Sequence, residues 1–397
     1  MMRPQKIGLI LTGGGARAAY QVGVLKAIAE FTPRSSPTPF SIICGTSAGA
    51  LNAATLAINA RHFRKGVKYL LDVWKNFHVG EVYRVDFIGV FQNSARWFAG
   101  LVLSVFGAGK LNHVSLLDNA PLVELLEQTL PCNKIQNSID SGVLHALSIT
   151  ASGYGSGHSV TFYQGAAGIE PWRRARRVGV STQISIQHLL ASAAIPFIFP
   201  AVHIHREYFG DGSMRQLAPI SSALHLGADR VLVVGMGESE GREEGHRRNK
   251  IDEYPSLAQI AGHALDSIFL DSMEVDLERL RRINHTVSFI PKELRQHTKL
   301  RHVEVLVISP SQAIEEIAEY HLNALPWTIR ILLRSVGVMR RRGANLVSYL
   351  LFDKAYCRAL IALGYQDAMQ RKAEILAFLH GHNKDVHKQK ISGELPQ

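Results

Sequence analysis

Three cysteines in 397 residues are too few and too scattered to staple a fold. Cys44, Cys132 and Cys357 lie far apart without ligand spacing, which argues against a disulfide scaffold or a cysteine metal centre and fits a reducing compartment. Long apolar runs are also missing. The longest, Trp97 to Ala108, is broken by Gly100, Ser104 and Gly107 and falls short of the roughly 20 residues a membrane-spanning helix needs, leaving only interfacial insertion open. The apolar run after Lys6 stops at Thr12-Gly13, shorter than a secretory core and without a small-residue cleavage site, so no signal peptide is expected. Acidic residues are in deficit: 33 Asp and Glu face 44 Lys and Arg, a net charge of +11. Such a balance favours anionic partners. No helix-turn-helix, zinc-finger or RNA-binding signature accompanies it, so nucleic acid is not expected, and an anionic membrane surface suits the charge at least as well. These absences point to a cytoplasmic protein able to associate with a membrane; its oligomeric state is left open.

What is present is a globular composition, 46% hydrophobic, in a chain long enough for one large domain or two smaller ones. Lys6–Leu11 has the pattern of a buried strand and Ala16–Phe31 that of a helix, with Tyr20, Val24, Leu25 and Ile28 at helical spacing. Phe40–Cys44 predicts a second strand and Ala48–Ala60 a second helix. Strand–helix–strand–helix order implies a parallel sheet covered by helices. Residues 61–110 are less regular and rich in aromatics, as in a segment inserted over a site. Further strands are expected at Leu144–Ala151, Ser159–Tyr163, Asp229–Gly235 and Val303–Ile308, with a short helix at Ile184–Ala194. Composition divides the chain into a first unit at 6–237, a charged linker at 238–252, a mostly helical region at 253–379 and a polar, disordered tail at 380–397. No internal repeat is evident.

Gly45-Thr46-Ser47-Ala48-Gly49 lies between the second strand and the second helix. A serine on a sharp strand-to-helix turn is the setting of a nucleophile elbow. The serine also falls at a helix N-terminus, where free amides stabilise negative charge on oxygen.

The loop after the first strand, Thr12-Gly13-Gly14-Gly15-Ala16-Arg17-Ala18, allows two readings. It matches a loose dinucleotide-binding turn, but that use also needs an acid at the end of the second strand, where Cys44-Gly45 stands instead. The other reading is an oxyanion hole, because consecutive glycines expose backbone amides beside the elbow; losing one such donor typically costs about 10²–10³ in rate. A serine nucleophile also needs a base. Asp211, in Phe209-Gly210-Asp211-Gly212-Ser213, follows an extended stretch from Val202, although Asp-Gly is equally an ordinary hairpin turn. Burial beside an apolar pocket would raise its pKa toward that of a useful base. Eighteen histidines keep a Ser-His-Asp triad open, with His203, His205 and His263 as candidates.

Together these motifs resemble the patatin-like phospholipases: Gly13-Gly14-Gly15-Ala16-Arg17-Ala18, Gly45-Thr46-Ser47-Ala48-Gly49 and Asp211-Gly212-Ser213 stand in the family's order. The stretch Ala191-Ser192-Ala193-Ala194-Ile195-Pro196-Phe197-Ile198-Phe199-Pro200 resembles a fourth family segment. The resemblance covers about Lys6 to Gly235 and implies a three-layer α/β/α fold with a mainly parallel sheet. It also implies a Ser-Asp dyad without histidine, Ser47 as nucleophile and Asp211 as general base. The oxyanion hole would come from the Gly13–Gly15 loop, with Arg17 at the family's basic position, either shaping that loop or meeting a phosphate. Ser213 stands where the family more often has Gly or Ala. The implied activity is hydrolysis of carboxylic esters of membrane phospholipids or lysophospholipids, with no metal or organic cofactor. The alternatives are a catalytically weak lipid- or partner-binding protein on the same scaffold and, more distantly, a nucleotide-dependent oxidoreductase. Leu346–Asp353 resembles an extension of some bacterial members, with no catalytic part assigned. Trp172–Arg177 is expected as a solvated loop, with headgroup docking as its functional reading. Trp327–Arg342 has the pattern of a basic amphipathic helix, for a membrane surface or for packing on the first unit.

Overall fold

The computed structural model of the chain describes residues 5–84, 115–235, 237, 257–291, 293–294, 297–298, 300–326, 328–331 and 344–381. The aromatic stretch beyond Arg84, the expected linker at 238–252, most of the expected amphipathic helix at 327–342 and nearly all of the expected tail lie outside these residues.

Among the described residues ten strands form one sheet: β1 (Ile7–Leu11), β2 (Ile42–Thr46), β3 (Ala146–Gly153), β4 (Ser159–Gly165), β5 (Trp172–Arg174), β6 (Arg177–Ser181), β7 (Val202–Ile204), β8 (Glu207–Asp211), β9 (Arg230–Val234) and β10 (Glu304–Ile308). Across it the order is β10-β9-β1-β2-β3-β4-β6-β5, with β10, β9, β1, β2 and β3 all parallel. Every residue of β1, β2 and β9 is buried. Helices on both faces explain why these strands are continuously apolar instead of alternating. Leu9, Leu11, Ile43, Leu232 and Val234 point into a large core with the helices α1 (Ala19–Phe31), α2 (Ala48–Ile58) and α3 (Phe63–Asn76). Their neighbours Ile10, Ile42, Cys44, Val231 and Val233 meet Ile220, Ala223, Met273 and Leu280 on the opposite face. The architecture is therefore a mainly parallel mixed sheet between two helical layers.

The C-terminal region is largely helical, as expected, and it joins the same sheet. Its strand β10 extends the parallel ladder beyond β9, in register from Glu304↔Arg230 to Ile308↔Val234. Its helix Lys354–Gln370 packs along α1, where the buried Tyr20 hydroxyl donates to Asp367 at 2.9 Å.

Three expectations shift. The second strand begins at Ile42, not Phe40, because Phe40 is held by the Thr38 hydroxyl and packs edge-on against Phe63. The extended stretch from Val202 is a hairpin, β7–β8, turning at His205 with φ 54°. Trp172–Arg177 is not a solvated loop but the start of the edge hairpin β5–β6, which turns at Arg176 with φ 57°. Trp172 stacks between Tyr163 and His225, so its indole anchors the hairpin to the sheet.

Candidate active site

One feature of the sheet brings the site together. Strand β2 runs parallel to β3 and ends with Thr46 opposite Thr150. Strand β8 descends antiparallel along β3 and ends with Asp211 opposite Ala151, the next position. The two strands therefore meet end to end, and Ser47 and Asp211 are delivered to one point from segments far apart in the chain.

Ser47 is the N-cap of α2 and carries φ 55°, a left-handed conformation for a residue with a side chain. Such backbone costs on the order of 1–3 kcal/mol and persists where surrounding structure enforces it. The enforcement is visible. The Ser47 amide donates to the Ser192 hydroxyl at 2.9 Å, which itself donates to the Thr150 carbonyl at 2.6 Å. Neither glycine of the elbow has positive φ; the left-handed residue is the serine itself. Gly49 is needed for close approach, since a Cβ there would run into the main-chain carbonyls of Leu11 and Thr12. The elbow is thus pressed against the end of β1, beside the glycine loop. Thr46 bonds through its hydroxyl to Gln216 at 2.8 Å, tying the elbow to the turn after Asp211.

Asp211 is fully buried, with 0% exposure, and Ser47 is 1% exposed. The Asp211 amide donates to Ala194 at 2.8 Å, and its Oδ1 accepts from the Ser213 amide at 2.9 Å, capping the helical turn Gly212–Arg215. Asp211-Gly212 is accordingly not a hairpin turn. Burial pushes the Asp211 carboxyl up to about 6, an effect offset in part by the Ser47 hydroxyl and by the amide and hydroxyl of Ser213. Although Ser47 is near enough to act on it, Oδ2 has no partner of full hydrogen-bond geometry among the described residues. Loose contacts of this kind are common in catalytic pairs before substrate arrives.

The glycine loop follows β1. Gly15, with φ 54°, opens a short helical turn through Ala18. Ala48 opens α2. The first amides of a helical segment have no acceptor within it. Gly15 and Ala48 both line the cavity that contains Ser47, so two helix starts border it. From inside, the loop is held by a buried chain: Trp74 Nε1 donates to Asn52, Asn52 to Gln21 and Gln21 to the Thr12 carbonyl, each within 2.9 Å. The Arg17 guanidinium engages the C-terminal region instead, on Ser348, Asn345 and Glu315, and among the described residues it is not part of the cavity wall.

Beyond Ser47 the cavity is apolar. Leu51, Leu70, Val73, Trp74, Leu126 and Phe352 are among the residues lining it, a surface suited to a hydrocarbon chain. No histidine is among its described lining residues. His203 packs on Tyr208 and His263 is exposed on the helix Leu257–Asp266, so neither meets Ser47. His205 sits in the β7–β8 turn. Cys44 is buried in the sheet, where burial pushes its thiol up to about 11. Among the described residues no cluster of three His, Cys, Asp or Glu is placed to hold a metal, and no helix is long and apolar enough to cross a membrane.

Sequence reasoning assigned no role to Ser192, Ala194, Gln21 or Asn52. The fourth motif is visible in the sequence, yet nothing in it tells that Ser192 holds the amide of Ser47 and Ala194 that of Asp211. Gln21 and Asn52 did leave a signal, each being the one side-chain amide of its helix.

A family model described as patatin-like phospholipase matches residues 9–224, more than half of the chain. Lysophospholipase nte1 from Aspergillus terreus is 48% identical over 56 residues, which make up 14% of this chain and 3% of that protein. The chain therefore aligns with only a small part of that relative. Among solved structures it is similar to VipD from Legionella pneumophila, at 12% identity and a TM-score of 0.35 over 96% of this chain and 67% of that one. It is also similar to ExoU from Pseudomonas aeruginosa in complex with SpcU, at 14% identity and a TM-score of 0.26 over 94% of this chain and 79% of that one.

Proposed function

The chain belongs to the patatin-like phospholipase family, and from that membership we propose that it is a serine acyl hydrolase that cleaves carboxylic esters of phospholipids or lysophospholipids through a Ser47–Asp211 dyad. The observation that carries this reading is the end-to-end meeting of β2 and β8 on β3, which puts a strained serine beside a buried carboxylate with an unpaired oxygen. Asp211 takes the proton from Ser47 Oγ as that oxygen attacks the ester carbonyl. The amides of Gly14, Gly15 and Ala48 receive the charge on the carbonyl oxygen. As the tetrahedral intermediate collapses, Asp211 returns the proton to the departing alcohol, leaving an acyl group on Ser47. Water then attacks the acyl-enzyme, losing its proton to Asp211, which passes it to Ser47 Oγ as the bond to the acyl group breaks and the fatty acid leaves.

The cavity supports this substrate class, since its apolar walls would accept an acyl chain with the carbonyl at Ser47. The excess of Lys and Arg suits peripheral contact with an anionic membrane and a cytoplasmic setting. A fluorophosphonate probe with mass-spectrometric mapping tests the reading directly. The expected result is one labelled residue, Ser47, together with release of fatty acid from phospholipid or lysophospholipid that falls roughly 10⁴-fold or more in Ser47→Ala. An unreactive Ser47 in folded protein would favour the alternative, a lipid- or partner-binding protein on this scaffold.

A further inference from the structure

The glycine loop has no side chains at Gly13, Gly14 or Gly15 with which to hold itself, and ordering glycine costs more backbone entropy than ordering any other residue. The Gln21–Asn52–Trp74 chain supports it from within. On its other side lies a segment more than three hundred residues away in sequence. Arg17, two residues after the loop and 1% exposed, donates from Nε to Ser348 Oγ at 2.8 Å and from Nη2 to Asn345 Oδ1 at 2.5 Å. Its guanidinium lies 3.9 Å from the centre of the Tyr349 ring. Glu315 at 2.9 Å and Asp266 at 3.6 Å balance its charge, and Tyr349 donates to Asp266 at 2.8 Å.

The same segment touches the loop and the cavity without Arg17. The Tyr349 main-chain carbonyl occupies the space where a side chain on Gly15 would stand. Tyr83 donates to the Leu350 carbonyl at 3.0 Å. Phe352 lines the cavity and packs with Trp74 and Phe77 at centroid separations of 6.3 and 5.7 Å. Contacts by Asn345, Ser348, Tyr349, Leu350 and Phe352 thus run from the oxyanion side of the site to its apolar wall.

Resting on the proposed hydrolase activity, we infer that Asn345–Phe352 completes the active site: it positions the oxyanion loop through Arg17 and Tyr349, and through Phe352 it limits the acyl chain. Ser348 and Asn345 are positioning residues in this scheme, because they act through Arg17 and do not touch substrate. A displaced oxyanion loop weakens the transition state more than the ground state. The full chain carrying Ser348→Ala or Asn345→Ala should therefore lose about tenfold in kcat, with KM unchanged. Affinity for an alkyl trifluoromethyl ketone, which places an oxyanion in the hole, should fall by a similar factor. Affinity for a non-hydrolysable alkyl amide of the same chain length should hold. Phe352→Ala should raise the ratio of kcat/KM for long over short acyl chains, by about tenfold.

Ketone affinity and kcat within twofold of wild type in both folded variants would overturn the positioning role, as would equal losses for ketone and amide, which mark general destabilisation. An unchanged chain-length ratio in Phe352→Ala would overturn the wall. Each of these results leaves the proposed function standing if wild-type Ser47 still reacts with the fluorophosphonate. An unreactive wild-type Ser47 would overturn the function and this inference with it.

Discussion

Arg17 and Asp211 flank the same site, are almost completely buried and are both ionisable, but their surroundings differ in kind. Arg17 is surrounded by two acids, two side-chain oxygens and an aromatic face. Burial alone would push its guanidinium down, and Tyr349, Glu315, Tyr356 and Asp266 together hold it above its ordinary value. Among the described residues, Asp211 has no cation shifting its pKa, receives hydrogen bonds only from neutral groups and keeps one oxygen without a full partner. A charge that is compensated on every side is fixed and serves structure. A charge left short of partners is readily neutralised, the property that the proposed general base requires.

The sharpest way to break this contrast is to neutralise Asp211. Asp211→Asn should lower kcat by about 10³-fold or more, since the isosteric amide cannot accept the serine proton. The same substitution should stabilise the fold at neutral pH. In the folded state the carboxyl titrates at about 6, above its ordinary 3.8, so its favourable contribution is complete below 3.8 and is lost as pH rises through 6. Thermal melts should accordingly show the Asn variant above wild type at pH 7 and level with it near pH 3.5. In wild type, kcat/KM should climb through about pH 6 as the base form appears. A flat profile there would assign the base elsewhere.

Gly49→Ala tests the packing of the elbow against β1. Its methyl would meet two main-chain carbonyls, so a loss of about 1–3 kcal/mol or more is expected in denaturant unfolding. Ser192→Ala removes the hydroxyl that holds the Ser47 amide. It should reduce kcat by about tenfold with little change in KM, because the nucleophile loses orientation while the apolar cavity is untouched. The smallest effects belong to the histidines. His203→Ala and His205→Ala should leave kcat within twofold of wild type, and a larger loss in either would bring a histidine back into the mechanism.

Local sequence was a good guide wherever local chemistry governs. Apolar runs such as Leu9–Leu11 and Val231–Val234, short and bounded by turn residues, read as buried strands, and Gly-x-Ser-x-Gly between a strand and an Ala-rich helix marks an elbow without help from distant residues. Alternation could not tell that Val202–Phe209 folds back at His205, because both halves are extended and only the turn residue's left-handed backbone differs. Nor could it tell whether Asp211-Gly212 was a turn or a site, since the same dipeptide serves both.

The chain by itself therefore determined the kinds of parts: a mainly parallel sheet, a serine at a helix start, a glycine loop and an acid at a strand end. These depend on periodicity, backbone propensity and spacing, which neighbouring residues set among themselves. Tertiary structure decided which parts meet. Asp211 reaches Ser47 because β2 and β8 share one edge of β3, and Arg17 faces Ser348 because the C-terminal helices close over the glycine loop. Those encounters are set by sheet register and core packing across hundreds of residues, and no window of sequence holds both partners.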